Sequence, residues 1–132
     1  MVTTKAVNPW TWQDIFGFSQ GVAVSGGQRV LYCAGQTSVD ADGNPIHAGN
    51  MAAQLSEAFD NLEAVLNEAG MGFENVVRLN YYTTDVSAYR EAAAAVGDRF
   101  AEVAVKPAGT LLGVASLFHP DIMIEIEATA VA

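Results

Sequence analysis

The sequence predicts an α+β domain of element order ββαβαββ, with two helices laid on one face of a mixed sheet. Three observations carry that expectation. The run Ile122-Met123-Ile124-Glu125-Ile126-Glu127-Ala128-Thr129-Ala130-Val131 alternates strictly, as a half-buried strand does. Two other stretches repeat their apolar residues every 3.6 positions and lie between strand-like runs. Glycine, proline and asparagine punctuate the remainder.

Taken in order, Gly21 to Ser25 and Arg29 to Ala34 read as two strands joined by a tight turn at Gly26-Gly27, a hairpin signal. Asp40-Ala41-Asp42-Gly43-Asn44-Pro45 is a loop by composition. A long helix follows, with Asn50 as its N-cap and Gly70 at the C′ position. Its stripe is Leu55, Ala58, Phe59, Leu62, Val65, Leu66 and Ala69, and it would span about 30 Å. Val76 to Thr84, rich in Val, Tyr and Thr, is the next strand. A second helix is expected from about Ala88 to Val103, with Ser87 as its cap and Tyr89, Ala92, Ala93, Val96, Phe100 and Val103 inward. Gly97 weakens it by about 1 kcal/mol relative to alanine. Gly109 to Ser116 and the alternating run then close the chain.

That last strand sets the functional question. Ile122, Ile124, Ile126, Ala128 and Ala130 share one face, a core face. Met123, Glu125, Glu127, Thr129 and Val131 share the other, with the two carboxylates about 7 Å apart along the strand. Two helices cover only one side of the sheet. The glutamate side therefore meets either water or another chain. On the strand over 76–84 it is joined by Arg78, Asn80 and Tyr82 or by Val77, Leu79 and Tyr81. A mixed surface of this kind reads as a subunit interface, so a homo-oligomer with sites between subunits is expected.

Composition bounds the rest. With 132 residues, 51% of them hydrophobic, the chain suits a single domain over 1–132. No apolar run nears the roughly 20 residues of a membrane span, and Met1 to Ala6 lacks the apolar region of a secretory leader. The lone Cys33 in Val30-Leu31-Tyr32-Cys33-Ala34 reads as a buried thiol suited to a reducing cytoplasm. Six basic residues against fifteen acidic ones leave a formal charge of -9, and the cations are scattered. Nucleic acid is therefore not an expected partner. His47 and His119 have no metal-ligand spacing to another His, Cys or carboxylate, so no metal is expected. Trp10 and Trp12 read as packing residues, and phosphate-loop and dinucleotide motifs are absent.

Several blocks together resemble the reactive-intermediate deaminase family, the YjgF-type or Rid proteins. Phe16-Gly17-Phe18-Ser19-Gln20-Gly21-Val22 is similar to its "G-x-YSQAV" opening, and Ala34-Gly35-Gln36 to its "SGQ" turn. Ala58 to Gly70 is similar to its "ALENLKAVLEAAG" helix. Val76-Val77-Arg78, Thr84-Asp85, Lys106-Pro107-Ala108 and Ile124 to Ala128 fit its later blocks in the same order. The resemblance implies a chorismate-mutase-like fold, a homotrimer with clefts between subunits, and hydrolysis of enamines or imines without metal or organic cofactor. It implies Glu125 as the residue that holds the attacking water. It also implies ligand contacts at Phe18, Gly35, Gln36, Gly109, Thr110 and Leu111, with backbone groups of Gly35, Thr110 and Leu111 orienting the ligand.

The chain departs from that pattern at three points. Where the deaminases read Pro-Ala-Arg, with the arginine clamping a substrate carboxylate, this sequence reads Pro107-Ala108-Gly109. The family tyrosine is Phe18, and the site asparagine aligns with Ala93. Losing one partner of a desolvated charge pair costs about 2–5 kcal/mol. Binding of a 2-imino acid would then weaken by tens to thousands of fold, at about 1.4 kcal/mol per factor of ten. Arg78 is either a rim residue or a replacement anchor, and the reach of Lys106 is open. The leading expectation is a trimeric deaminase-like protein using Glu125 on a small reactive metabolite. The alternative is a binding or sensing trimer without catalysis. An endoribonuclease fits least well.

Overall fold

A computed structural model describes residues 1–27 and 29–132. It adds one strand to the expected order: β1 (Thr3–Val7) pairs antiparallel with β2 (Gly21–Ser25), from Thr3 opposite Ser25 to Val7 opposite Gly21. Between them Trp12–Phe16 makes a 3-10 turn, which Gly17 ends at φ 71°. The other elements are β3 (Val30–Tyr32), α1 (Met51–Glu68), β4 (Val76–Thr83), α2 (Val86–Val96), β5 (Ala108–Gly113) and β6 (Ile124–Val131). Four of these strands form a mixed sheet in the order β3-β6-β4-β5. Its β4–β5 pair is parallel, while β6 runs antiparallel to both neighbours.

Two expectations need correcting. The anticipated hairpin at Gly26-Gly27 does not form between its two arms, because β2 pairs with β1 and β3 pairs with β6. Gln28, within that connection, lies outside the described residues. The second helix is capped by Asp85, not Ser87, since the Asp85 carboxylate accepts from the Ala88 N–H at 3.0 Å. It also stops at Val96, because Gly97 turns the chain out at φ 87°, a conformation that glycine adopts without a β-carbon penalty. Phe100 still reaches the core from beyond the helix end.

The first helix follows its sequence signals. Asn50 accepts from the Ala53 N–H at 3.0 Å, and Gly70 sits at φ 71° just past the C-cap. Leu55, Ala58, Phe59, Leu62 and Leu66 are buried against Ile124, Ile126, Ala128, Ala130 and Leu79 of the sheet. Hydrophobic burial of these side chains, about 1.5–3 kcal/mol for each large one, fixes the helix layer on this face. Gln54 is the polar exception. Fully buried, it donates to the carbonyls of His47 and Asp121 and accepts from the Met123 N–H, which ties α1 to the entry of β6. Among the described residues no helix is long and apolar enough to cross a membrane.

Candidate functional site

Register decides which side chains of β4 stand beside the glutamates. Tyr82 lies opposite Glu125, Asn80 opposite Glu127 and Arg78 opposite Thr129. Opposed residues in a ladder share a face, so Arg78, Asn80 and Tyr82 are on the glutamate side, and Leu79 and Tyr81 are on the helix side. The alternative left open by alternation alone is thereby closed. On β3 the same face carries Val30 and Tyr32, and on β5 it carries Thr110 and Leu112. Tyr32 is 80% exposed and Leu112 48%, so the isolated protomer leaves apolar area open on this side.

Glu125 sits in a hollow of about 240 Å³ lined by Gly35, Tyr82, Val114, Ser116, Leu117, Glu125 and Glu127. The chain after β3 forms one wall. The Gln36 N–H donates to the Ile126 carbonyl at 2.6 Å and the Ile126 N–H to the Gln36 carbonyl at 2.9 Å, which presses this loop onto β6. Gly35 then abuts the Glu125 side chain so closely that a β-carbon there would lie 2.1 Å from Oε1. A side chain at this position would displace the Glu125 side chain, and the backbone dihedral angle there is not one reserved for glycine.

The two carboxylates are treated differently by their surroundings. Glu127 Oε1 accepts from the Tyr82 hydroxyl at 3.0 Å and from Asn80 Nδ2 at 3.3 Å. Among the described residues none donates to the Glu125 carboxylate. Burial, and then the charge of Glu127, raises the Glu125 pKa above the ordinary 4.5. The Tyr82 pKa is also raised, first by its hydrogen bond to Glu127. A half-buried carboxyl without donors, beside a second one well supplied with them, can take a proton from a water molecule placed against it.

The other sequence-derived residues are placed as follows. Gly109, Thr110 and Leu111 lie on β5, an edge strand of the four-stranded sheet. A β-carbon on Gly109 would fall 2.1 Å from the Leu79 carbonyl oxygen, so the β4–β5 pair is too close for any side chain there without backbone movement. Arg78 is exposed and donates from Nη2 to Thr110 Oγ1 at 3.2 Å, beyond the lining of the hollow. Lys106 Nζ donates to the carbonyls of Phe100 and Ala101, on the core-closing segment after α2. Phe18 packs edge-on against Trp12 with ring centroids 5.9 Å apart, and it is not part of the hollow. The Gln36 side chain folds back onto the Ala34 carbonyl.

Neither histidine joins the site. His119 Nδ1 accepts from the Asp121 N–H in its own turn, and the His47 carbonyl accepts from the Asn50 N–H before α1. Burial pushes the Cys33 thiol up. Among the described residues, no group of three or more His, Cys, Asp and Glu could hold a metal ion. The roles of Tyr82 and Asn80 became readable only through strand register, and the wall formed by Val114, Ser116 and Leu117 has no sequence signature.

Fold and site together describe a small α+β protein whose open sheet face carries a pair of unequal carboxylates. The chain belongs to the Rid/YjgF family: the family described as endoribonuclease L-PSP matches residues 12–132. A RutC family protein of Aquifex aeolicus is 34% identical over 112 residues, covering 84% of this chain and 86% of that one. A second, from Synechocystis, is 36% identical over 115 residues, with 86% and 85% covered. Among solved structures, the Rid-family protein YyfB of Yersinia pestis, described as of unknown function, is similar at a TM-score of 0.85 and 34% identity, with 98% of both chains covered. Yeast Mmf1 is similar at a TM-score of 0.69 and 25% identity, also over 98% of both.

Proposed function

We propose that this protein is a homotrimeric, cofactor-independent hydrolase of enamines or imines, with a small-molecule cleft between subunits and Glu125 as its water-activating residue. The observation that carries the reading is the Glu125 carboxyl: set in a hollow on the uncovered sheet face, without a donor among the described residues, and raised in proton affinity by burial and by the charge of Glu127. Water adds through oxygen to the imine carbon while Glu125 takes one of its protons. That proton passes to the nitrogen, giving a carbinolamine; Glu125 then carries the proton of its hydroxyl to the nitrogen as the C–N bond breaks, so that ammonia leaves and a carbonyl remains. Backbone groups of Gly35, Thr110 and Leu111 orient the ligand, and Phe18 and Gln36, which lie outside the hollow of the single protomer, border the cleft where subunits meet.

The substrate is one whose carboxylate, if it has one, needs no side-chain clamp from β5. Gly109 has no room for such a side chain, and Lys106 is committed to backbone carbonyls. Arg78, on the same face as the glutamates, is the remaining cation of this region and serves as the outer anchor. Turnover of 2-iminobutanoate, followed as ammonia release by the wild type and by Glu125→Gln, tests the reading. A loss of about 10²–10⁴-fold in the variant is expected. Equal rates would remove Glu125 from the mechanism.

One observation favours a second reading, a trimer that binds or senses a metabolite without converting it. No cation lines the hollow among the described residues, so a carboxylate ligand would meet two acids there. Ligand-dependent thermal stabilisation with no product formed would support it. The activity in the family's description draws little support from this chain. Its charge of -9 and its dispersed cations, with Arg99 paired to Asp60 at 2.8 Å and Arg29 bonded to the Ala69 carbonyl, make a poor phosphate-binding surface.

A further inference from the structure

Two glutamates of the same strand share the hollow, yet the donors are given to only one of them. Tyr82 is the direct cross-strand partner of Glu125, but its hydroxyl leans along the strand and donates to Glu127. Asn80, the direct partner of Glu127, donates to the same oxygen, Oε1. The orientation of this amide has a cost. Its Oδ1 is buried with no partner, and turning the amide over would set oxygen against oxygen at Glu127. An arrangement that leaves a buried acceptor unpaired to keep a donor on Glu127 gives that carboxylate a fixed place.

We propose that Tyr82 is a positioning residue: its hydroxyl, seconded by Asn80, pins the Glu127 carboxylate beside Glu125, so that the water-activating acid works next to a neighbour held at a fixed place. The inference rests on the reading of Glu125 as that acid. Tyr82 acts through Glu127, and Glu127 acts through its field on Glu125. From β6 the only other titratable group facing Glu125 is Glu127, and from β4 it is Tyr82, with Arg78 further along the strand at Thr110. Gly35, Val114, Ser116 and Leu117, which close the hollow, bring no charge. The two acids are thus driven to separate tasks by unequal environments.

The test is a carboxyl-carbon NMR titration of the full-length protein, with the Glu125 signal assigned by its disappearance in Glu125→Gln. Wild type, Tyr82→Phe, Glu127→Gln and the double variant are compared. In Glu127→Gln the Glu125 midpoint moves to lower pH, because the neighbouring charge is gone. In Tyr82→Phe it moves the same way by less, because the released Glu127 carboxylate spends part of its time away from Glu125. The double variant matches Glu127→Gln alone, since Tyr82 then has no charge left to hold. The acid limb of ammonia release shifts in step with these midpoints. A Tyr82→Phe midpoint equal to that of wild type, or a Tyr82→Phe shift that persists undiminished without the Glu127 carboxylate, would overturn the inference. Failure of turnover in the wild type, with the titrations as expected, overturns the deaminase reading and leaves the pinned pair standing.

Discussion

The two faces of the four-stranded sheet are built by the same alternation and end in opposite conditions. On β6, Ile124, Ile126, Ala128 and Ala130 are covered by the chain's own helices, and each is at most 2% exposed. One residue away along the same backbone, Glu125, Glu127 and Thr129 stand among Tyr82, Asn80 and Arg78, while Tyr32 and Leu112 stay open. The first face is closed by apolar packing, which is insensitive to direction. The second is organised by hydrogen bonds and charge, which depend on it. A fold can therefore set its stability on one side of a strand and its chemistry on the other, with a single residue of register separating them.

Substitutions on each face sharpen that contrast. The largest effect belongs to the covered side: Ile126→Ala, at a position with no exposure, should lower unfolding free energy by about 2–5 kcal/mol in urea titrations. Next comes Gly109→Ala, which forces a β-carbon toward the Leu79 carbonyl and should cost about 1–3 kcal/mol by the same measurement. By the same steric argument Gly109→Arg should not raise turnover of 2-iminobutanoate. An arginine variant that folds normally and binds the imino acid more tightly would show that the β4–β5 approach gives way easily.

Glu125 should behave in the opposite sense. Its pKa is higher in the folded chain than the ordinary 4.5, so the native state binds more protons than the unfolded state as pH rises through that interval. Stability therefore falls as pH climbs from the ordinary value through the raised one, and the penalty persists above it. Glu125→Gln should accordingly melt higher than wild type near pH 7, and the difference should close toward pH 4. Parallel melting curves at both pH values would contradict the burial of this carboxyl. The smallest effect on the protomer is expected at Tyr32→Glu, within about 0.5 kcal/mol, because the ring is largely exposed. In the proposed trimer its effect on association should be plain, with sedimentation shifting toward lower mass. An unchanged assembly would move the subunit contact off this face.

How much of this was legible in the sequence depended on the range of the interaction. The helix Met51–Glu68 and the alternation of β6 were readable because cap, period and stop signals are local. Strand β1 was missed, since Thr3–Val7 is short and acquires its partner eighteen or so residues later. Gly26-Gly27 misled for the same reason: a turn-forming pair describes its own neighbourhood, whereas β2 and β3 choose partners elsewhere in the chain. The end of α2 was set by one backbone angle at Gly97, which outweighed the apolar residues beyond it. No local signal marks Gln54, on which three backbone groups from two loops converge. At the site, Glu125 stood out by pattern and family likeness, but its unequal treatment relative to Glu127 needed the β4 register to be seen.

The glycine beside Glu125 has an evolutionary consequence. Because the space a methyl group would take at Gly35 is already filled by the Glu125 side chain, any heavier residue there must displace that side chain. Position 35 thus works as an adjustable stop for the acid's retreat. A lineage could retune how deeply the Glu125 carboxyl sits, and so its acidity, without altering the acid itself.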